Sequence, residues 1–239
     1  AGGAMKLIDA LLDLLFPPKC PFCRQVQDAP GMGPDCGRAL PWMDEAHGLR
    51  ELPGGLLCAA PLWYEGPVRE AIRRFKFHGG VSAAGPLGEL IAQAAAERFS
   101  GEFDVVTWVP VSAKRLRRRG YDQSRLLTEN ACKLWGVEPE ALLRKVRDNP
   151  PQSGLESAEA RWENAKDVYE AQGDPAGKRV LLIDDICTTR STLVSAAGAL
   201  RAAGAAGVVC AAAAFPRPEE ENRGEKGKEE ACILAGLPV

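Results

Sequence analysis

The sequence predicts an α/β protein with a parallel sheet flanked by helices, and three apolar segments separated by helical patterns carry that prediction. Val180 to Ile183 is an unbroken run of Val, Leu, Leu and Ile, which suits a central strand buried on both faces. Asp104 to Pro110 and Gly207 to Phe215 are the other strong strands. Residues 86–99 form an Ala-rich helical segment with Leu87, Leu90 and Ile91 inward, and residues 193–203 form a further helix. Strands alternating with helices give a parallel sheet covered on its faces.

With 239 residues, 46% of them hydrophobic, the chain can bury a substantial core, and one main domain with a small appendage is expected. A formal net charge of −2 supplies no global attraction to nucleic acid or membrane, so binding of either requires a local patch. The sequence shows no bilayer-spanning segment and no secretory signal, which predicts a cytoplasmic protein. Residues 1–4, ahead of Met5, read as a cloning remnant. Residues 6–16 place Ile8, Leu11, Leu12 and Leu15 on one helical stripe. The stripe suits a docking helix, or a membrane-surface anchor that lacks the usual Lys/Arg-rich polar face.

Pro18-Lys19-Cys20-Pro21-Phe22-Cys23 holds two thiols at knuckle spacing, and Cys36 is a natural third ligand. A structural zinc site takes four ligands in a tetrahedron, so Cys58 or His47 completes the site or it has only three and holds its metal substoichiometrically. A redox dithiol and plain reduced cysteines are the alternatives, although no strand precedes Cys20 as a redox Cys-x-x-Cys usually requires. Cys132, Cys187, Cys210 and Cys232 lack such spacing and are expected as reduced thiols, the first three buried.

Residues 64–79 read as a turn, a helix and a basic-aromatic segment in which Arg73, Lys76 and His78 either approach a phosphate or stand in solvent. After the strand that ends at Pro110, five cations fall within the six residues from Lys114 to Arg119. Arginine's planar fork suits a pyrophosphate, which makes Ser112, Lys114, Arg115 and Arg119 candidate ligands. The same run suits a single-stranded DNA backbone with Tyr121 as a stacking platform, or a solvated helix start. Residues 142–147 form a short strand leading into a polar, proline-bearing loop, with a helix near Glu159 to Ala165.

The central strand ends in Asp184 and Asp185 and continues into Ile186-Cys187-Thr188-Thr189-Arg190-Ser191-Thr192. In an open α/β sheet, ligands sit beyond the carboxyl ends of the strands. Ionised carboxylates accept hydrogen bonds from vicinal ribose hydroxyls or from water around Mg2+. Thr188, Thr189, Arg190, Ser191 and Thr192 stand at the mouth of the following helix, where free N–H groups favour a phosphate. Together these features imply a ribose 5-phosphate ligand. A strand followed by an ordinary Ser/Thr-rich helix start is the plainer alternative.

This block resembles the 5-phosphoribosyl-1-pyrophosphate (PRPP) signature of type I phosphoribosyltransferases, an acidic pair followed by Thr-Thr-Gly-x-Thr, with Arg190 at the place of the glycine. Tyr64 to Glu70, Arg73 to Gly79, Val109-Pro110-Val111 and Arg119-Gly120-Tyr121-Asp122-Gln123 resemble more narrowly the ComF competence-protein family. Members of that family are phosphoribosyltransferase-like with an N-terminal zinc knuckle, and the resemblance runs from about residue 11 to residue 216. It implies a type I phosphoribosyltransferase-like sheet with a small hood over residues 61–216 and a helix and cysteine knuckle over 5–60; residues 217–239, charged, Gly-bearing and non-periodic over 217–230, are expected as a disordered or loosely attached tail. It further implies that Gly33 replaces the first cysteine of a second Cys-x-x-Cys, that Asp122 stands where the family has Asn, and that residues 150–164 form a mobile flap.

The implied function is binding of PRPP or ribose 5-phosphate with Mg2+ at Asp184 and Asp185, with structural zinc at Cys20, Cys23 and Cys36. The implied setting is DNA uptake, with competence-machinery proteins as partners. As an enzyme the chain would be a phosphoribosyltransferase, expelling pyrophosphate; the alternative is a non-catalytic single-stranded nucleic-acid adaptor using residues 114–119. Arg190 is expected to strain the phosphate loop, where glycine supplies a positive φ, and so to weaken binding.

Overall fold

A computed structural model of the chain describes residues 17–147, 168–187 and 190–218. The chain runs through α1 (Pro34–Ala39), a hairpin of β1 (Leu49–Leu52) and β2 (Leu56–Ala59), β3 (Leu62–Trp63) and α2 (Gly66–Phe77). Next come α3 (Ala84–Phe99), β4 (Val105–Trp108), the short α4 (Ala113–Arg119) and α5 (Gln123–Trp135). β5 (Leu143–Lys145) pairs antiparallel with β6 (Tyr169–Ala171) as a separate two-stranded sheet, and β7 (Arg179–Ile186), α6 (Arg190–Ala202) and β8 (Gly207–Phe215) complete the order.

The main sheet has the order β1-β2-β8-β7-β4, with β3 beside the far end of β8. Only the β1–β2 pair is antiparallel; β7 runs parallel between β4 and β8, in register from Val105↔Val180 and Arg179↔Gly207. The unbroken apolar run of β7 follows from this position. Leu181 and Ile183 face a core shared with Val68, Ile72, Phe75, Leu87, Ile91 and Leu127, while Val180 and Leu182 face one shared with Leu143, Tyr169, Leu193 and Leu200. The pleat sends successive side chains to opposite faces, so a strand covered on both sides has no polar face. α2 begins with Pro67 in its first turn and buries Val68, Ala71, Ile72 and Phe75, one stripe at helical spacing.

The sheet begins earlier than the sequence indicated, because β1 and β2 fall within residues 5–60 and β2 pairs directly with β8. Their turn is Pro53-Gly54-Gly55, and both glycines have positive φ (78° and 67°), which a side chain rarely tolerates. Arg217, placed by the sequence in the tail, donates to the Glu65 carboxylate at 2.7 and 2.8 Å. The helix expected over 6–16, the flap, Cys232 and the tail beyond residue 218 lie outside the described residues. No helix among the described residues is long and apolar enough to cross a membrane.

α3 and α5 approach closely because Gly88 has no side chain: a Cβ there would lie 2.7 Å from Asn130 Cβ and 2.8 Å from the Leu127 carbonyl. Neither neighbour is a flexible tip. Gly88→Ala is therefore expected to destabilise the protein by about 1–3 kcal/mol through forced separation of the helices, measured as a lower urea midpoint.

Candidate ligand site

Asp184 and Asp185 stand at the carboxyl end of β7, 9% and 6% exposed. Two adjacent carboxylates at such depth need donors, and each finds a different one. Asp184 Oδ1 accepts from Ser124 Oγ at 2.8 Å and from the Asp185 backbone N–H at 2.8 Å. Asp185 Oδ1 meets the Lys76 ammonium at 3.0 Å. Ser124 comes from the first turn of α5 and Lys76 from the last turn of α2, so two helices converge on the strand end.

Burial, reinforced by the charge of Asp185, pushes the Asp184 carboxyl up to about 7. Burial also works against the charge of Lys76, but Asp185 and then Asp184 outweigh it and hold the ammonium above its ordinary value. Lys76 lines a cavity of about 400 Å³ together with Phe77, Gly79, Arg118, Arg119 and Tyr121. Arg119 Nε is buried there without a partner among the described residues, and its guanidinium lies 5.1 Å from the centre of the Phe77 ring. The cavity is therefore cationic and shares Lys76 with the acidic pair.

Only one of the four basic-loop candidates reaches this cavity. Arg119 lines it; Lys114 and Arg115 are exposed on α4, and Ser112 is the N-cap of α4, its Oγ accepting from the Arg115 N–H at 3.3 Å. Gly120, with φ 82°, ends α4 and turns the chain so that Tyr121 donates to the Phe75 carbonyl. Arg73 and His78 are exposed. The sequence offered Lys76 only as one of three residues that approach a phosphate or stand in solvent, and counted Arg118 in the basic run without singling it out as a ligand. Nothing local signals that Lys76 meets a residue more than a hundred positions away.

Asp122 caps α5. Its two oxygens accept from the N–H groups of Arg125 at 3.2 Å and Val111 at 2.9 Å. A Ser/Thr/Asp residue just before a helix is the usual signal for such a cap. Asp122 thus ties α5 to the segment that follows β4.

Thr188 and Thr189 lie outside the described residues. Arg190 and Ser191 open α6, with Thr192 in the same first turn. The expected backbone strain at Arg190 is not found, because it belongs to a right-handed helix. Among the described residues the one non-glycine with positive φ is Arg24.

The Sγ atoms of Cys20, Cys23 and Cys36 lie within 4.8 Å of one another and can hold a metal ion. Burial pushes the Cys20 thiol up, but backbone N–H groups, that of Gly33 first, outweigh it and bring it down to about 7. Burial and the two neighbouring thiols push Cys36 up to about 12. Neither residue weighed for the fourth position joins them. Cys58 is wholly buried on β2 among Cys187 and Cys210, and His47 is held by Asp44 at 2.6 Å and packs against Trp63. Cys132, Cys187 and Cys210 are buried free thiols, as expected.

The family model for the phosphoribosyl transferase domain matches residues 116–233. With the acidic pair at the end of a central parallel strand, that match defines a phosphoribosyltransferase-type α/β protein. DNA utilization protein YhgH of Salmonella typhi is 30% identical over 204 residues, covering 79% of this chain and 86% of that protein. Competence protein F of Haemophilus influenzae is 28% identical over 197 residues (77% and 85%), and Competence protein ComFC of Bacillus subtilis 26% over 191 residues (80% and 74%). The chain belongs to the ComF family.

The unfolded chain titrates Asp184 near its ordinary 3.8 and the folded chain near 7, so the fold binds this proton more tightly. The stability it contributes is fully present below pH 3.8 and is lost as pH rises through about 7. Asp184→Asn keeps an acceptor for Ser124 and removes that loss. Its stability relative to wild type is expected to rise from pH 5 and to level off above about pH 7 in urea unfolding; a constant difference from pH 5 to pH 8 would mean that Asp184 titrates normally.

Proposed function

We propose that this protein binds PRPP, or a related ribose 5-phosphate bearing a pyrophosphate, together with Mg2+. The observation that supports this most is the buried acidic pair directly beside a cavity lined by Lys76, Arg118 and Arg119. The carboxylates suit the ribose hydroxyls, and the cavity suits the pyrophosphate. The first turn of α6 suits the 5-phosphate, with Thr188, Thr189, Arg190, Ser191 and Thr192 as its ligands. Mg2+ fits as a companion of the ligand's pyrophosphate, because Asp184 Oδ1 and Asp185 Oδ1 already have partners. As a reaction, the arrangement supports departure of pyrophosphate from the carbon beside the ring oxygen, whose developing positive charge the carboxylates stabilise electrostatically. Arg190 stands where the resembled signature has glycine, and weak binding with slow turnover is part of the reading.

The relatives named for competence and DNA utilization support a setting in the handling of incoming DNA. A second reading rests on α4, where Lys114, Arg115, Arg117 and Arg118 are all exposed: a non-catalytic adaptor for single-stranded DNA. Calorimetric titration of PRPP with Mg2+ is expected to give binding that Asp184→Asn with Asp185→Asn abolishes, while affinity unchanged in the double variant overturns the assignment. Single-stranded DNA bound with a steep loss of affinity in salt, and no PRPP binding, favours the adaptor.

We further infer that Cys20, Cys23 and Cys36 hold zinc. Three thiolates at zinc–sulfur distances of about 2.3 Å leave one corner of a tetrahedron, so the metal is expected to be substoichiometric and easily chelated. Gly33 has an ordinary backbone (φ −64°, ψ 147°), and its N–H faces Cys20. Gly33→Cys is therefore expected to slow zinc loss to a chelator several-fold, and Cys20→Ser to empty the site, both read by elemental analysis. Metal content unaffected by Cys20→Ser means that the cluster is not a zinc site.

A further inference from the structure

We propose that Lys76 is a built-in cation of the acidic pair that excludes a free divalent ion and serves as a ligand of the pyrophosphate. The metal role rests on geometry alone, and the ligand role rests on the proposed PRPP reading. The Lys76 ammonium sits 3.0 Å from Asp185 Oδ1, 22% exposed, at the edge of the cavity it shares with Arg118 and Arg119.

An ammonium has three N–H donors, and among the described residues Asp185 Oδ1 is the one acceptor within ion-pair distance of it. The remaining donors are available to an anion in the cavity. A divalent ion at the acidic pair would meet this fixed positive charge at short range, and with Asp184 Oδ1 already accepting two hydrogen bonds it would gain few open oxygens in return. Free metal is thus disfavoured until a polyanion arrives. A pyrophosphate brings both the negative charge that draws the ammonium toward the cavity and the oxygens that coordinate the metal. Metal and ligand then bind as a unit. The adjoining residues show why the lysine is well held: Arg74 donates to the Pro21 carbonyl at 2.6 Å, and Phe75 accepts from Tyr121, so the turn of α2 that carries Lys76 is fastened on both sides.

Mn2+ as a paramagnetic probe and inorganic pyrophosphate as a ligand probe test the two halves on the full chain. Wild type is expected to bind free Mn2+ at least tenfold more weakly than Lys76→Met, whose gain disappears when Asp185→Asn is added. Lys76→Met is expected to bind pyrophosphate about tenfold or more weakly, the loss that follows from one hydrogen bond to a charged group. Asp185→Asn alone, which releases the ammonium, is expected to bind metal-free pyrophosphate at least as well as wild type. Lys76→Arg, which keeps the charge if Lys76→Met fails to fold, is expected to keep Mn2+ out. Equal Mn2+ affinity in wild type and Lys76→Met overturns the metal role, and unchanged pyrophosphate affinity in Lys76→Met overturns the ligand role. Absence of PRPP binding by wild type with the Mn2+ results as expected overturns the PRPP reading and leaves the metal role standing.

Discussion

Two neighbouring carboxylates buried at the end of the central strand are the constraint to which the surrounding structure answers. Each needs its own source of positive charge or hydrogen bonds, since an unpaired buried charge is very costly. Asp184 takes the neutral solution: a hydroxyl, a backbone N–H and a proton held up to about pH 7. Asp185 takes the ionic one through Lys76. The pair is therefore asymmetric even though its members are adjacent in sequence, because two different helices, α5 and α2, bring the two donors.

That asymmetry assigns work to α2. Three consecutive residues of its last turn bind three different parts of the molecule: Arg74 the cysteine knuckle, Phe75 the Tyr121 hydroxyl after the basic helix, and Lys76 the acidic pair. Phe22, beside the cysteines, shares a core with Val68, Ile72 and Phe75 of the same helix. The knuckle is thus packed into the main domain through α2 rather than appended to it. A helix fixed at three points on its last turn cannot shift at one of them without disturbing the others.

Much of the fold was legible because the strongest strands are also the most buried. A strand covered on both faces must be apolar throughout, and Val180 to Ile183 announces itself for that reason. Its exit into two aspartates located the candidate site. The β1–β2 hairpin carried a readable signal in Pro53-Gly54-Gly55, and the cap at Asp122 carried one in its place ahead of a helix. Lys76 carried none. A long-range ion pair depends on how α2 lies across the end of β7, and hydrophobic periodicity fixes which face a helix buries but not which charge on its rim meets a partner. The basic run failed in the converse way. Its spacing gathered five cations, but a seven-residue helix spreads them around its axis, so that Arg118 and Arg119 face the cavity while Lys114 and Arg115 face solvent.

Charge in this site is consequently set by geometry between elements rather than by the count of ionic residues in a motif. The acidic pair in isolation would attract any divalent ion. With Lys76 against Asp185 and a proton shared out to Asp184 near neutral pH, its net charge falls well below the formal two. The cationic cavity next to it is then the stronger electrostatic feature, and a ligand carrying a dense negative charge gains more from the site than a bare cation does. On the proposed PRPP reading an order of binding follows from this balance: the anion is attracted first, and the carboxylates engage the sugar hydroxyls once the ammonium between them and the cavity has turned toward the phosphate oxygens.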